Sequence, residues 1–390
     1  MTKNQLGQFF TVKSDYILGG LDKYVRGKNV ADPFAGDGDL LRWAKNSGAR
    51  KVLGYDVDPR CADGKRVLQR DSLLNPGEYD FIVTNPPYLN VNKASADTKM
   101  RYFSNSPFED LYQISLNSIM NSEEGIIIVP VNFLSAMNSH KIRKIFFERF
   151  KVDRINYFRH QVFPDTSYNV IALHYLKKEP SVNRFSIKVS AYPQRDEFDI
   201  ELSEKHGWMI GGETLLKIYK QSNVLDIGRL TEDMVEKSVP RTERVRAAIG
   251  HTKRVRFLDI SKEMRGVINR NIILLRAIDS GSERGKIGLD DIRERYDISF
   301  DCLISKNTSR HMIQLIFNHP ISIREQRTLI SLFNDEFNKL RRKYNSLLLT
   351  NYRDNDRKRV SFDFVYKYLN YLYYTQIKVC PEKEMIPSIR

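Results

Sequence analysis

The chain has 390 residues, 41% of them hydrophobic, with 63 Lys and Arg against 48 Asp and Glu for a net charge of +15. That length accommodates two domains with cores of their own, and the absence of any run of about 18 apolar residues argues against a membrane span. Cys61, Cys302 and Cys380 are odd in number and far apart, which argues against a disulfide framework and a zinc cluster alike. The polar N-terminus, MTKNQLGQFFT, lacks an apolar targeting region, so a reducing, cytoplasmic compartment is expected.

The first half alternates strand and helix patterns. Ser14 opens a helix predicted over about 15–26. KNVADPF reads as a strand ending at Asp32, and DGDLLRWAKNSG as a helix closed by Gly48. Strands follow at KVLGYDVDP, RVLQRDS and YDFIVTNPPY, then a helix at FEDLYQISLNSIMNS and a buried strand at GIIIVPVNFL. An amphipathic helix, SHKIRKIFFERF, precedes two further strands, VDRINYF and NVIALHYLKK. Such alternation predicts an α/β fold with a mostly parallel sheet and helices on both faces. The pattern changes near 180–205, which places a first domain at 1–185 and a second, mixed α/β domain at 205–390. Residues 201–390 hold 35 Lys and Arg against 25 Asp and Glu, two thirds of the basic excess. A basic half invites a polyanionic partner.

Residues 31–40, ADPFAGDGDL, end a strand at Asp32 and turn through Gly36 and Gly38 into a helix. Glycines there allow turn dihedrals and a close backbone approach to a ligand. The third glycine of the dinucleotide fingerprint is missing. Asp37 and Asp39 would repel a pyrophosphate, so a cationic or zwitterionic ligand such as S-adenosylmethionine fits better. The next strand ends in Asp56, placed to accept ribose hydroxyls. The third ends in Asp71-Ser72, placed to hold the exocyclic amine of an adenine.

The fourth strand runs into Asn85-Pro86-Pro87-Tyr88. Two prolines fix φ and remove two backbone donors, and the first keeps Asn85 out of helical geometry. An aromatic amine is a poor nucleophile because its lone pair is delocalised. Acceptors at the amine hydrogens draw the nitrogen toward tetrahedral geometry and stabilise the developing charge. The Asn85 amide oxygen and the Pro86 carbonyl are suited to that task, with the prolines keeping both from internal bonds, and Tyr88 can stack on a flat substrate. No side chain near this corner is an obvious general base. That agrees with the chemistry, because a methylated ammonium is acidic enough to lose its own proton. The segment 89–106 that follows reads as a polar, mobile loop.

GQFFT (7–11), DPFAGDGD (32–39), Asp56, Asp71-Ser72 and NPPY (85–88), in that order, resemble the amino-group DNA methyltransferases that make N6-methyladenine. The order matches their gamma subgroup, common in type II restriction–modification systems and also found in large DNA viruses. The resemblance carries specific motifs over about residues 5–178 and rests on domain order beyond them. It implies a Rossmann-like, S-adenosylmethionine-dependent fold with a C-terminal target-recognition domain, double-stranded DNA as partner and functional pairing with a separate restriction endonuclease. It also implies that Gly7, Phe10 and Thr11 line the methionine end of the cofactor, although Val12 stands where the family often has proline. Asp32, Phe34, Gly36 and Gly38 would wrap the amino-acid moiety, Asp56 the ribose, and Asp71 with Ser72 the adenine. Asn85, Pro86 and Pro87 would form the catalytic corner. Tyr88 and Phe163 would stack on the two faces of a flipped-out adenine in an empty pocket between them.

The NPPY corner is shared with RNA adenine and protein glutamine N5-methyltransferases. The glutamine enzymes generally carry a small helical domain before the catalytic core. Here about 30 residues precede the glycine turn and a long basic region follows, which favours nucleic acid. A non-catalytic DNA-binding module and a fused restriction enzyme are further readings; intact Asn85, Gly36 and Gly38 oppose the first, and the lack of an acid–acid–lysine nuclease cluster opposes the second. HTKRVR (251–256), RRKY (341–344) and NYRDNDRKR (351–359) are the candidate DNA contacts of the second half.

Overall fold

The computed structural model describes residues 13–163, 169–250, 255–280, 286–294, 301–351 and 357–378. Two short helices, α1 (Ser14–Ile17) and α2 (Asp22–Val25), stand where one helix is predicted. They part around Gly19 and Gly20, and each glycine in a helix interior costs about 1 kcal/mol relative to alanine. Then come β1 (Asn29–Asp32), α3 (Asp39–Asn46), β2 (Lys51–Asp56), β3 (Val67–Gln69) and β4 (Tyr79–Thr84). They are followed by α4 (Leu111–Ser118), β5 (Ser122–Pro130), α5 (His140–Arg149), β6 (Phe150–Phe158) and β7 (Val170–Lys177). β8 (Arg184–Tyr192) and β9 (Asp196–Ser203) complete the first unit's sheet.

These strands form a nine-stranded sheet in the order β3-β2-β1-β4-β5-β7-β6-β8-β9. β3, β2, β1, β4 and β5 run parallel, with Asp32 opposite Gly54 and Thr84 opposite Ile127. β7 is antiparallel to both β5 and β6. Phe81, Ile82 and Val83 of β4 and Ile126 to Val129 of β5 are fully buried, as central strands covered on both faces must be. The sequence order turns back between β1 and β4, making this a Rossmann-like sheet whose switch point lies beside the carboxyl ends of those two strands. α5 buries Ile142, Phe146 and Phe147; Phe146 packs edge-on against Phe133 and Tyr175, with ring centroids 5.6 and 5.3 Å apart.

The chain divides into two compact units, 1–213 with 347–356 and 214–346 with 357–390. The expected end of the first domain at 185 therefore falls inside the first unit. β8 pairs with β6 and β9 with β8, so the sheet continues to Ser203.

The second unit contains β10 (Ile227–Arg229), β11 (Glu243–Ile249), β12 (Val255–Ile260), α6 (Lys262–Arg270), β13 (Ile273–Arg276) and β14 (Gly288–Asp291). β15 (Cys302–Ile304), β16 (Met312–Phe317), α7 (Ile323–Lys343) and α8 (Phe362–Leu372) follow. β10-β16-β13-β14 form an antiparallel sheet, and β12-β11-β15 a second, smaller one. α7 begins with a reciprocal cap between Ser322 and Glu325. No helix of the described residues is long and apolar enough to cross a membrane.

Candidate active site

The switch point opens onto a partly open cavity. The carboxyl ends of four adjacent parallel strands feed it: Asp71-Ser72 after β3, Asp56 at the end of β2, Asp32 at the end of β1 and Asn85 after β4. Phe34, Gly36 and Pro87 line it as well. Gly36 and Gly38 have φ of 49° and 77°, the left-handed region that a side chain would disfavour, and Gly38 caps α3.

Asp32 ties the two switch-point strands together. Its Oδ1 accepts from the Thr84 hydroxyl at 2.6 Å and from the Phe34 amide at 3.1 Å. Its Oδ2 is buried without a partner. Burial, opposed by those two bonds, pushes the Asp32 carboxyl up to about 7. A buried carboxylate oxygen beside a cavity is a ready acceptor for a cationic group. Asp56 is also buried, which raises its pKa. Its Oδ2 accepts from the Gly36 amide and its Oδ1 from the Asp58 amide, both at 2.8 Å. These bonds hold the glycine turn against the end of β2.

Asp71 differs from expectation. Its Oδ1 takes the Leu73 and Leu74 amides at 3.1 and 3.3 Å, and its Oδ2 takes Arg101 at 2.5 Å and the Tyr102 hydroxyl at 2.9 Å. A carboxylate offers about four lone-pair sites, and here all are engaged. An incoming amine would have to displace one of these donors, and Arg101, 40% exposed, is the most accessible.

The donors to Oδ2 come from the segment after NPPY, which is no plain loop. It carries a single helical turn at Ala96–Thr98, capped by Ser95, and a π-helical turn at Lys99–Phe103. Leu89, Ala94, Tyr102, Phe103 and Leu111 form a small core of their own.

The NPPY corner also departs from expectation. The Tyr88 hydroxyl lies 2.5 Å from Asn85 Oδ1 and 2.8 Å from the Ile128 carbonyl oxygen. The prolines therefore do not keep the Asn85 oxygen from an internal bond, because the partner is a side chain three residues on and not the backbone. Tyr88 is buried, 5% exposed, and meets Tyr112 edge-on at 6.4 Å. Burial raises its hydroxyl pKa well above the usual 10. Phe163 is 1% exposed. In this state neither ring offers an open face, and neither lines the cavity. Both rings are packed into the first unit's interior.

Gly7, Phe10 and Thr11 lie outside the described residues, as do 251–254 and 352–356 of the basic stretches. Arg341, from RRKY, is held bidentately by Asp279 at 2.9 and 2.6 Å, a structural commitment within the second unit. Among the cavity residues that escaped sequence reasoning are Arg70 and Tyr102. Arg70 stacks its guanidinium 3.5 Å over the Tyr55 ring. Its position beside Asp71 at a strand end was the available signal. Tyr102 is separated from every motif and reaches the cavity through the folded segment alone.

Residues 43–163 match the family model described as Eco57I restriction-modification methylase. A comparison with curated protein sequences gives no match. Among solved structures, a modification subunit of a putative type I restriction enzyme from Vibrio vulnificus YJ016 is 17% identical. That match covers 49% of this chain and 48% of the other, with TM-score 0.37. A putative RNA methyltransferase from Pyrococcus horikoshii is 19% identical over 46% of this chain and 91% of the other, with TM-score 0.35. The type IIG restriction endonuclease BpuSI is 12% identical over 94% of this chain and 58% of its own, with TM-score 0.41. The match thus spans about half the length of the type I subunit.

Proposed function

We propose that the chain is a DNA adenine N6-methyltransferase, the modification enzyme of a restriction–modification system, with its first unit catalytic and its second reading the target. One observation carries the reading. Asn85 and Pro87 of the amine-activating corner line the same cavity as Asp32 and Asp56, the acids suited to S-adenosylmethionine. The family-model match over 43–163 supports it, because it contains the NPPY corner.

The residues present fit the cofactor. The unpartnered Asp32 Oδ2 would accept from its ammonium, and Asp56 would hold its ribose. When bound, the cofactor supplies an electrophilic methyl on a sulfonium. Asn85 Oδ1 and the Pro86 carbonyl would accept from the two hydrogens of the target amine, localising its lone pair. The adenine must leave the duplex stack to reach this corner, and Tyr88 would turn outward to receive it, releasing Asn85 as it goes. The methylated nitrogen then sheds its proton to water. Equilibrium cofactor binding and single-turnover transfer, measured on the wild type and on Asn85→Ala, test the assignment. Unchanged cofactor affinity with transfer abolished is expected; transfer that survives removes Asn85 from its role.

A further inference from the structure

The β11–β12 hairpin of the second unit exposes a face that nothing in its own fold explains. Directly opposed residues of an antiparallel pair share a face. The register sets Arg244 opposite Asp259, Arg246 opposite Phe257 and Ala248 opposite Val255. The other face supplies Val245, Ala247 and Ile260 to the hydrophobic cluster with Met264 and Ile268 of α6, so the hairpin is anchored from behind. In front, Phe257 is 60% and Val255 37% exposed. The Arg244 guanidinium sits 4.8 Å over the Phe257 ring.

The charges on this face are not spent internally. Asp301, which accepts the Arg246 backbone amide at 2.8 Å, has its carboxylate shared with Arg265 at 3.5 Å. Neither Arg244 nor Arg246 forms an ion pair among the described residues, nor does Asp259, the acid on this face. Two unpaired guanidinium groups around an exposed aromatic ring on a two-stranded ribbon match a polyanion with apolar edges. A ribbon of this width enters the major groove of a duplex, where arginines meet phosphates and base edges and apolar side chains meet thymine methyls.

We propose that the face carrying Arg244, Arg246, Val255 and Phe257 is a duplex-DNA contact surface of the second unit. The inference rests on the DNA reading above and assigns that role to a specific strand pair; of its four face residues, Val255 falls within the stretch 251–256 singled out in the sequence, and Arg244, Arg246 and Phe257 lie outside the basic stretches.

The test is fluorescence anisotropy of a labelled unmethylated duplex titrated with the full chain across a salt series. Wild type is compared with Arg246→Ala, Arg244→Ala and Phe257→Ser. All three positions are exposed, and an unchanged thermal midpoint and S-adenosylmethionine affinity confirm that each variant is folded. Each arginine variant is expected to weaken duplex binding about 5- to 10-fold and to lower the slope of log affinity against log salt by about 1. Phe257→Ser is expected to weaken binding without changing the slope, since an apolar contact releases no counterions. Variants that bind the duplex as tightly as wild type, with the wild-type slope, overturn this assignment while leaving the DNA reading intact. A wild type that binds single-stranded RNA in preference, with that preference lost in the variants, assigns the face to RNA and overturns it too. A wild type with no duplex binding at low salt overturns both.

Discussion

The Tyr88 hydroxyl lies within 2.5 Å of the Asn85 amide oxygen and 2.8 Å of the Ile128 carbonyl, so one proton serves two acceptors inside the NPPY corner. Asn85 is thus engaged by the residue proposed to stack on the substrate. Removing the hydroxyl and removing the ring should then have opposite consequences. Tyr88→Phe is expected to keep single-turnover transfer within a few-fold of wild type or above it, at a stability cost of about 1 kcal/mol for the lost buried bond. Tyr88→Ala is expected to lose roughly 10-fold or more, since stacking on a base is worth about 1–3 kcal/mol. Equal inactivity of the two variants would show that the hydroxyl itself is needed for transfer.

Asp32 gives a pH dependence with a definite sign. Burial lifts its folded pKa from the ordinary 3.8 to about 7. Between those values the folded chain holds a proton that the unfolded chain releases, so stability falls as pH rises through that window. An ammonium beside Oδ2 selects the ionised form. Cofactor affinity is therefore expected to fall by up to about 10-fold per pH unit below about 7, with proton release visible as a buffer-dependent binding enthalpy. Asp32→Asn is expected to abolish that pH dependence, weaken cofactor binding and stabilise the unliganded chain at pH 8. A cofactor affinity flat from pH 6 to 8 in the wild type would remove Asp32 from the ammonium site.

Asp56 holds the Gly36 and Asp58 amides at 2.8 Å while lining the cavity. Asp56→Ala is expected to weaken cofactor binding by about 10- to 100-fold, as the charge-assisted bonds it would make contribute roughly 1.5–3 kcal/mol, and to free the glycine turn from its anchor. An unaltered dissociation constant from calorimetry would take Asp56 out of the site.

Arg101 occupies the Asp71 oxygen that an adenine amine would need. Arg101→Ala is expected to tighten cofactor binding a few-fold, because an exposed ion pair is worth about 0.2–1 kcal/mol and its loss frees a lone pair. Tyr102→Ala removes a cavity wall and is expected to weaken binding about 10-fold. Cofactor affinity reduced by Arg101→Ala would mean that the 89–106 segment must be clamped to Asp71 for binding.

The strand ends of the site were legible because a parallel sheet brings the carboxyl ends of its strands to one edge. β1 through β4 each end in a residue of distinctive type, and their adjacency follows from the fold class alone. Phe81 to Val83 read as a buried strand and are one. The contacts that modify the site were not legible, because they are made across the fold. The hydroxyl of Tyr88 on Asn85, and Arg101 and Tyr102 on Asp71, depend on how a short segment packs on itself. Polar residues in 89–106 concealed that packing, since its five apolar members recur without a helical or strand period. The continuation of the sheet through β8 and β9 was hidden for a similar reason: alternating strands such as RFSIKVSAY carry no marker of which sheet they join.

Transfer of a methyl group to the exocyclic amine of adenine in duplex DNA can be measured directly. Labelled S-adenosylmethionine is incubated with the chain and with unmethylated duplex DNA, RNA or a protein extract, side by side, and the products are hydrolysed and identified. Label recovered as N6-methyladenine from duplex DNA alone, and lost with Asn85→Ala, is the expected result. Label in RNA or on glutamine would contradict the DNA assignment while keeping the chemistry of the NPPY corner.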